Sequence, residues 1–338
     1  MLKGKQTWIY NTPPAILSTG VVGGPFEAKG NIVNDFDLLH DDVWMNQNTF
    51  EKAQQQMTEE ACQVAVKKMN LEKEQIDFFI SGDLINQMTP TTFAASSMGV
   101  PYLGFFSACA TSMEALAIAA MIIDSNRANY ILSGCTSHHA ATERQYRYPN
   151  EYGGQKPPTA QWTVTGAGMA LVGKRNKGPF ITAATIGKVV DYGMTDPFNM
   201  GGAMAPAAVE TIVRHLKERE ISIDYYDLIV TGDLGKIGRS NALDLLHEKG
   251  IHIQDDQLVD CGLTIYSEDQ PVHAGASGAA CAPIGMYGHY LKRMINGEFN
   301  RMLFVATGAL HSPLTIQQNQ AIPCIAHAVS IEMGSDLT

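Results

Sequence analysis

Charge is scarce in this chain: Asp, Glu, Lys and Arg together make up 17% of its 338 residues, against about 25% in an average soluble protein. Much of the sequence must therefore be buried, in a large core or in a core plus a broad subunit interface. Basic runs are missing too, and the net charge of −10 repels phosphate backbones and anionic lipid head groups. Nucleic-acid binding and direct electrostatic docking on a membrane are disfavoured. The longest apolar run, Ala115 to Ile123, has nine residues, far short of the roughly 20 that cross a bilayer. Met1 to Thr12 carries no signal-peptide hydrophobic stretch, so a cytosolic protein is expected. The cysteines at 62, 109, 135, 261, 281 and 324 form no C-x-x-C pair and no zinc-ligand spacing. They read as reduced thiols, five of them core fillers, and no metal site is expected.

The most informative feature present is a repeat. Ile76-Asp-Phe-Phe-Ile-Ser-Gly-Asp-Leu84 returns 150 residues later as Tyr226-Asp-Leu-Ile-Val-Thr-Gly-Asp-Leu234. Each copy follows an amphipathic helical pattern: Phe50, Ala53, Met57, Ala61, Val64 and Met69 before the first, and Val209, Ile212, Val213 and Leu216 before the second. Tyr130-Ile-Leu-Ser-Gly134 and Leu303-Phe-Val-Ala-Thr-Gly308 are a second matching pair of short apolar runs. Helices alternating with buried strands predict α/β layers. The charged turn Gly173 to Pro179 divides the chain into an N-terminal half, 1–175, and a C-terminal half, 176–338. Thr136 to Thr165, polar and aromatic, is long enough to be a functional or interfacial loop.

Phe105-Phe-Ser-Ala-Cys109-Ala-Thr-Ser112 sets a cysteine between an apolar strand and a helix, Ser112 to Asp124, that is apolar on nearly every face. A helix N-terminus stabilises a thiolate, and small neighbours leave room for a ligand. Cys109 is thus presented as a nucleophile would be; equally, a small residue suits a tight strand-to-helix turn.

At Cys109 the sequence resembles the thiolases and ketoacyl synthases. Gln75-Ile-Asp-Phe-Phe-Ile, Thr89-Pro-Thr-Thr-Phe-Ala-Ala, Met98-Gly and Phe106-Ser-Ala-Cys109-Ala follow that superfamily's order, as do Gly166-Ala-Gly-Met-Ala-Leu-Val172 and Gly275-Ala-Ser-Gly-Ala279. The likeness covers nearly the whole chain and is nearest to a thiolase-like branch from spore-forming bacteria, associated with binding dipicolinic acid on its way into the developing spore. It implies a thiolase-like αβαβα sandwich of two duplicated halves, with Cys109 at the nucleophile position.

The departures bear on activity. Condensing enzymes of the ketoacyl synthase III type use a His and an Asn from two second-half loops; here Thr231-Gly-Asp233 and Gly275-Ala276 stand there. An ionised acid cannot donate to an oxyanion, and Ala276 has no side-chain donor. Thiolases use a His before Gly-Ala-Ser-Gly and a second Cys; His273 stands two residues before Gly275 rather than three, and Thr307-Gly-Ala-Leu-His311 has no Cys. Both catalytic sets are incomplete.

The candidate ligand-binding residues are Cys109, Asp83, Ser133, His138, His273 and Asp233, with Cys109 and His273 catalytic if the protein is an enzyme. Asp83 and Asp233 sit at equivalent strand ends, where Asp also commonly caps a turn. His138 and His139 follow one strand end and His311 follows its counterpart. Arg144 and Arg147 suit a dicarboxylate or a solvated loop face. No nucleotide cofactor is expected, because after Gly166-Ala-Gly168 the chain continues as a strand and offers no helix N-terminus.

The resemblance implies a protein that binds dipicolinic acid or its calcium chelate for uptake into the spore. The alternatives are an acyltransferase or condensing enzyme using Cys109, and a purely structural subunit. The expected partners are the other subunits of a spore membrane transport complex, through which the chain would lie at the inner membrane, and a second copy in a homodimer.

Overall fold

The computed structural model describes residues 1–147 and 156–334. Its ten principal strands run in the order Leu258–Asp260, Leu228–Thr231, Arg301–Ala309, Cys324–Glu332, Phe180–Ile186, Ala15–Gly23, Gly166–Gly173, Tyr130–Ser137, Phe78–Gly82 and Tyr102–Gly104. The order is the same in both directions from the middle. In the first half Ala15–Gly23 and Gly166–Gly173 are antiparallel, as are Gly166–Gly173 and Tyr130–Ser137, while the next two pairings are parallel. The second half repeats this sequence of antiparallel and parallel pairings. A single backbone pairing, Phe180 with Ala15, joins the halves along the sheet path.

The helices obey the repeat as closely. Phe50–Lys68 and Met200–Arg219 begin 150 residues apart. The helices Phe50–Lys68 and Thr89–Met98 cover the outer face of the first half, and Met200–Arg219 with Gly235–Glu248 cover that of the second. Thr111–Asp124 touches strands of both halves and lies between them. That position explains its composition: Ala115, Leu116, Ala117, Ala119, Ala120 and Ile123 have no exposed surface, because the faces that meet the strands of the two halves are buried, while Met121 on the remaining side is 40% exposed. Its alanines let both sheets approach closely. Beside it runs the second inner helix, Cys281–Ile284, which passes through a π-helical stretch, Gly285–Tyr290, into Leu291–Ile295. The result is the layered αβαβα sandwich expected from the sequence. No helix among the described residues is long and apolar enough to cross a membrane.

Two boundaries differ from the sequence reading. The strand expected to end at Ser133 runs on to Ser137, because its neighbour Gly166–Gly173 keeps pairing with it as far as Gly166. The expected loop 136–165 begins with that strand end, followed by a short helix, His139–Thr142, and a π turn, Glu143–Arg147. The Arg147 side chain, Tyr148 and Tyr152 lie outside the described residues.

Candidate functional site

The chain reaches Cys109 through a sharp elbow. Ala108 adopts φ 50°, a left-handed conformation that a non-glycine residue holds only when its surroundings impose it. Several contacts do so. Thr111 Oγ1 accepts the Ser107 N–H (2.8 Å) and donates to the Ala108 carbonyl (2.8 Å). Ser107 Oγ donates to Glu114 (2.6 Å). From the second half, His327 Nδ1 accepts the Gly187 N–H (3.3 Å), which leaves Nε2–H to donate to Ser107 Oγ (3.3 Å). Burial lowers the His327 pKa to about 4, so this imidazole is neutral at physiological pH.

The elbow places Cys109, 8% exposed, in the lining of a pocket of about 480 Å³ including its open mouth. Leu84, Ala309 and the methionines Met200 and Met204 line its apolar side, and Phe106, Tyr146, Thr142 and His311 line the rest. Asp233 is the one carboxylate in the lining among the described residues. It accepts hydrogen bonds from the Cys109 thiol, from Thr307 Oγ1 (2.9 Å) and from the Gly278 N–H (3.2 Å). Gly278 itself has φ 104°, a conformation open to glycine. Burial pushes the Asp233 carboxyl up to about 7, against the pull of those hydrogen bonds. The two repeat aspartates therefore differ: Asp260 caps the Leu234–Gly235 turn through N–H bonds of 2.8 and 2.9 Å, which leaves Asp233 to face the thiol.

Of the six candidate residues, the pocket brings together Cys109 and Asp233. Asp83 is buried beside it but does not line it, because its oxygens hold the Ile85 N–H (2.7 Å), the Thr91 N–H (3.0 Å) and the Thr91 hydroxyl. It is a turn cap. Ser133 lies within its strand, fully buried. His138 is buried as well, stacked on Phe50 with centroids 5.0 Å apart and bonded through Nε2 to the Val43 carbonyl (2.8 Å). His273 points away from the pocket. The Ala274 N–H bonds to the Ala160 carbonyl (3.1 Å) and the Lys236 N–H to the Ala274 carbonyl (2.9 Å), which draws Ala274 inward and leaves His273 exposed at φ 51°.

His139 stacks on Trp162 at 4.0 Å, and Arg144 pairs with Glu51; neither lines the pocket. Two of the donors at the helix start are taken, since the Ala110 N–H bonds to the Ser107 carbonyl (3.0 Å) and the Thr111 N–H to the Ala108 carbonyl (3.4 Å). Tyr146 belongs to the loop 136–165 that the sequence marks as functional or interfacial, whereas Met200 and Met204 are not singled out there, because methionine on a buried helix carries no signal of a site.

The buried acids set a pH dependence. Burial also pushes Glu27 up to about 7, although it accepts the Thr165 N–H (3.0 Å) and the Tyr266 hydroxyl. A carboxyl whose folded pKa lies above its unfolded one favours folding at low pH, and that contribution is lost as pH rises to about 7. His138, His215 and His327, whose pKa values burial lowers, oppose this trend, because the unfolded imidazoles still bind protons near their pKa of about 6.5 and release them over the next unit. Urea unfolding should show the Glu27 loss as a difference of about 0.7 kcal/mol between pH about 6.5 and pH about 7.5, superposed on the histidines' gain. Glu27→Gln should reduce that difference; an equal or steeper fall in the variant would refute the assignment.

With this geometry in view, the chain was compared with known proteins. Residues 4–332 match the family of stage V sporulation protein AD. The chain belongs to that family. Stage V sporulation protein AD of Bacillus subtilis (strain 168) is 46% identical over 331 residues, covering 98% of both chains. Among solved structures, 3-oxoacyl-[acyl-carrier-protein] synthase III from Aquifex aeolicus VF5 superimposes with a TM-score of 0.55 at 14% identity, covering 94% of this chain and 99% of that one. Human mitochondrial 3-ketoacyl-CoA thiolase, solved with CoA, gives 0.59 at 10% identity over 96% and 99%. At those identities the likeness establishes the thiolase fold, and the family membership establishes a sporulation protein built on it.

Proposed function

We propose that the Cys109 pocket binds dipicolinic acid for transport into the spore, in the form of its calcium chelate. The ligand class comes from the sporulation branch that the sequence resembles; the choice of chelate comes from the site. One observation carries it: Asp233 faces the thiol of Cys109 in a pocket whose lining, among the described residues, includes no Lys or Arg. A free dianion would meet that carboxylate with no described Lys or Arg in the lining to offset it, and the elbow's Ala110 and Thr111 N–H groups already have partners. A calcium ion held by the chelate reverses the sign, since it accepts a carboxylate oxygen as a further ligand. With calcium held toward Asp233, the aromatic ring would lie toward Tyr146 and Phe106 on the pocket's other lining.

Titration calorimetry with dipicolinate tests this. Binding should require calcium, disappear with EDTA and weaken at least about tenfold in Asp233→Asn, the loss of one charge-assisted contact. Equal binding of the calcium-free dianion by parent and variant would refute it.

We propose further that the chain works as a homodimer attached to its membrane complex through protein contacts. The strand Tyr102–Gly104 is paired along one edge, with Phe78–Gly82, and Phe93, Leu103 and Phe106 nearby are 61%, 38% and 51% exposed. Edge pairing with a second copy would cover them, and an obligate interface of this kind buries more than about 2,000 Å². Light scattering should give twice the chain mass at micromolar concentration; a monomer would refute the dimer.

A further inference from the structure

We propose that the cleft between the helices Phe50–Lys68 and Thr89–Met98 is a second binding site, for an amphiphile with a short apolar body and an anionic head. The cleft lies on the outer face of the first half and has a volume of about 400 Å³. Its floor is Cys62, Val66, Ile76, Val100 and Leu132, each no more than 8% exposed. Protein interiors are close-packed, and an apolar cavity of about 150 Å³ already takes benzene. The cleft has room for a ligand of that size or larger, although its floor residues themselves expose little surface.

The internal repeat shows why the cleft exists. The Phe50–Lys68 and Met200–Arg219 helices are in register at an offset of 150 residues, so Cys62, Val66 and Ile76 correspond to Ile212, Leu216 and Tyr226. Each counterpart is larger, and all three belong to the packed core of the second half. Cys62, Val66 and Ile76 are themselves packed in the core of the first half, and their smaller side chains fill less of the space between helix and sheet. This difference lies in the sequence itself, at positions facing the sheet.

The rim selects the head group. Glu59 and Glu72 stand there with Lys67 and Lys73, but both carboxylates already have protein donors: Glu59 accepts from Gln55 Nε2 (2.8 Å), and Glu72 accepts a backbone N–H in a capping box with Gln75. Among the described residues neither lysine forms an ion pair. A carboxylate or phosphate head at the mouth would meet two available ammonium groups, while an apolar tail would reach the floor.

Titration calorimetry with octanoate and 1-octanol is the test, with helical content and thermal unfolding measured for each variant. Octanoate should bind the parent about fivefold tighter than octanol, the gain expected for a partly exposed ion pair. Ser97→Trp, at the exposed rim, should plug the mouth and abolish binding of both. The double variant Lys67→Gln with Lys73→Gln should bring octanoate down to the octanol value and leave octanol unchanged. Cys109→Trp should leave both ligands bound, which separates this cleft from the first pocket. Failure of the parent to bind either compound, undiminished binding by Ser97→Trp, or no preference for octanoate would each overturn the proposal.

Discussion

Gly308→Ala is expected to cost the fold about 3 kcal/mol, the upper range for overpacking a rigid core, and to abolish binding at the Cys109 pocket with it. Gly308 lies inside the strand Arg301–Ala309, where that strand of the second half presses on the elbow of the first. A Cβ added there would stand 2.1 Å from the Ser107 carbonyl oxygen and 3.2 Å from the Ala110 nitrogen. Both obstacles are backbone, so no side-chain rotation relieves them. The elbow is also poorly able to yield, because Ala108 is already held at φ 50° and Ser107 is tied to Glu114 and His327. The methyl group must therefore push apart the two halves or displace the loop that carries Cys109. Urea unfolding should show the loss with an unchanged m-value, the mark of altered stability with the same exposed surface. A variant within about 1 kcal/mol of the parent would show that the elbow is more compliant than its geometry implies.

The same contact explains which parts of this protein its sequence discloses. The repeat is readable because each half solves its own packing problem: Phe79 and Ile80 must enter a sheet under a helix, as must Ile229 and Val230, and the alternation of buried strand and amphipathic helix records that. Cys109 is readable because small residues between a strand and an apolar helix permit few conformations. His327 is not, for it reaches Ser107 from a strand 220 residues away and sits in an apolar run where a neutral histidine passes as core. His273 misled for the opposite reason. One residue of offset from Gly275 turns a side chain from the pocket to solvent, and two backbone hydrogen bonds at Ala274 settle the direction. Equivalence between the repeats was likewise only partial, since Asp83 and Asp233 share a position but Asp83 meets the N–H groups of its own turn whereas Asp260 performs that task in the second half.

The other large effect concerns the thiol itself. Incubated with acetyl- or malonyl-coenzyme A, the protein should show no stoichiometric acyl adduct by intact mass. For the sulfur to attack a thioester, a base must take its proton and donors must hold the oxyanion that develops. Asp233 accepts the thiol hydrogen bond, but with a pKa near 7 it is substantially ionised at neutral pH and would then repel a neighbouring thiolate. It also offers no donor in that state. Ala276 supplies none from its side chain, and the Ala110 and Thr111 N–H groups at the helix start are engaged within the elbow. His311 is the imidazole in the pocket lining, and it is the group to replace if acylation is seen. Cys109→Ser, which preserves size and a hydroxyl donor for Asp233, should leave binding of the calcium chelate within about threefold of the parent, the scale of one neutral hydrogen bond. Cys109→Trp should abolish it, because the indole would occupy the pocket among Leu84, Phe106, Tyr146 and Met204. A stoichiometric adduct that disappears in Cys109→Ser, followed by release of a condensed or transferred product, would make this an acyltransferase and remove the ground for reading Asp233 as a calcium-chelate contact.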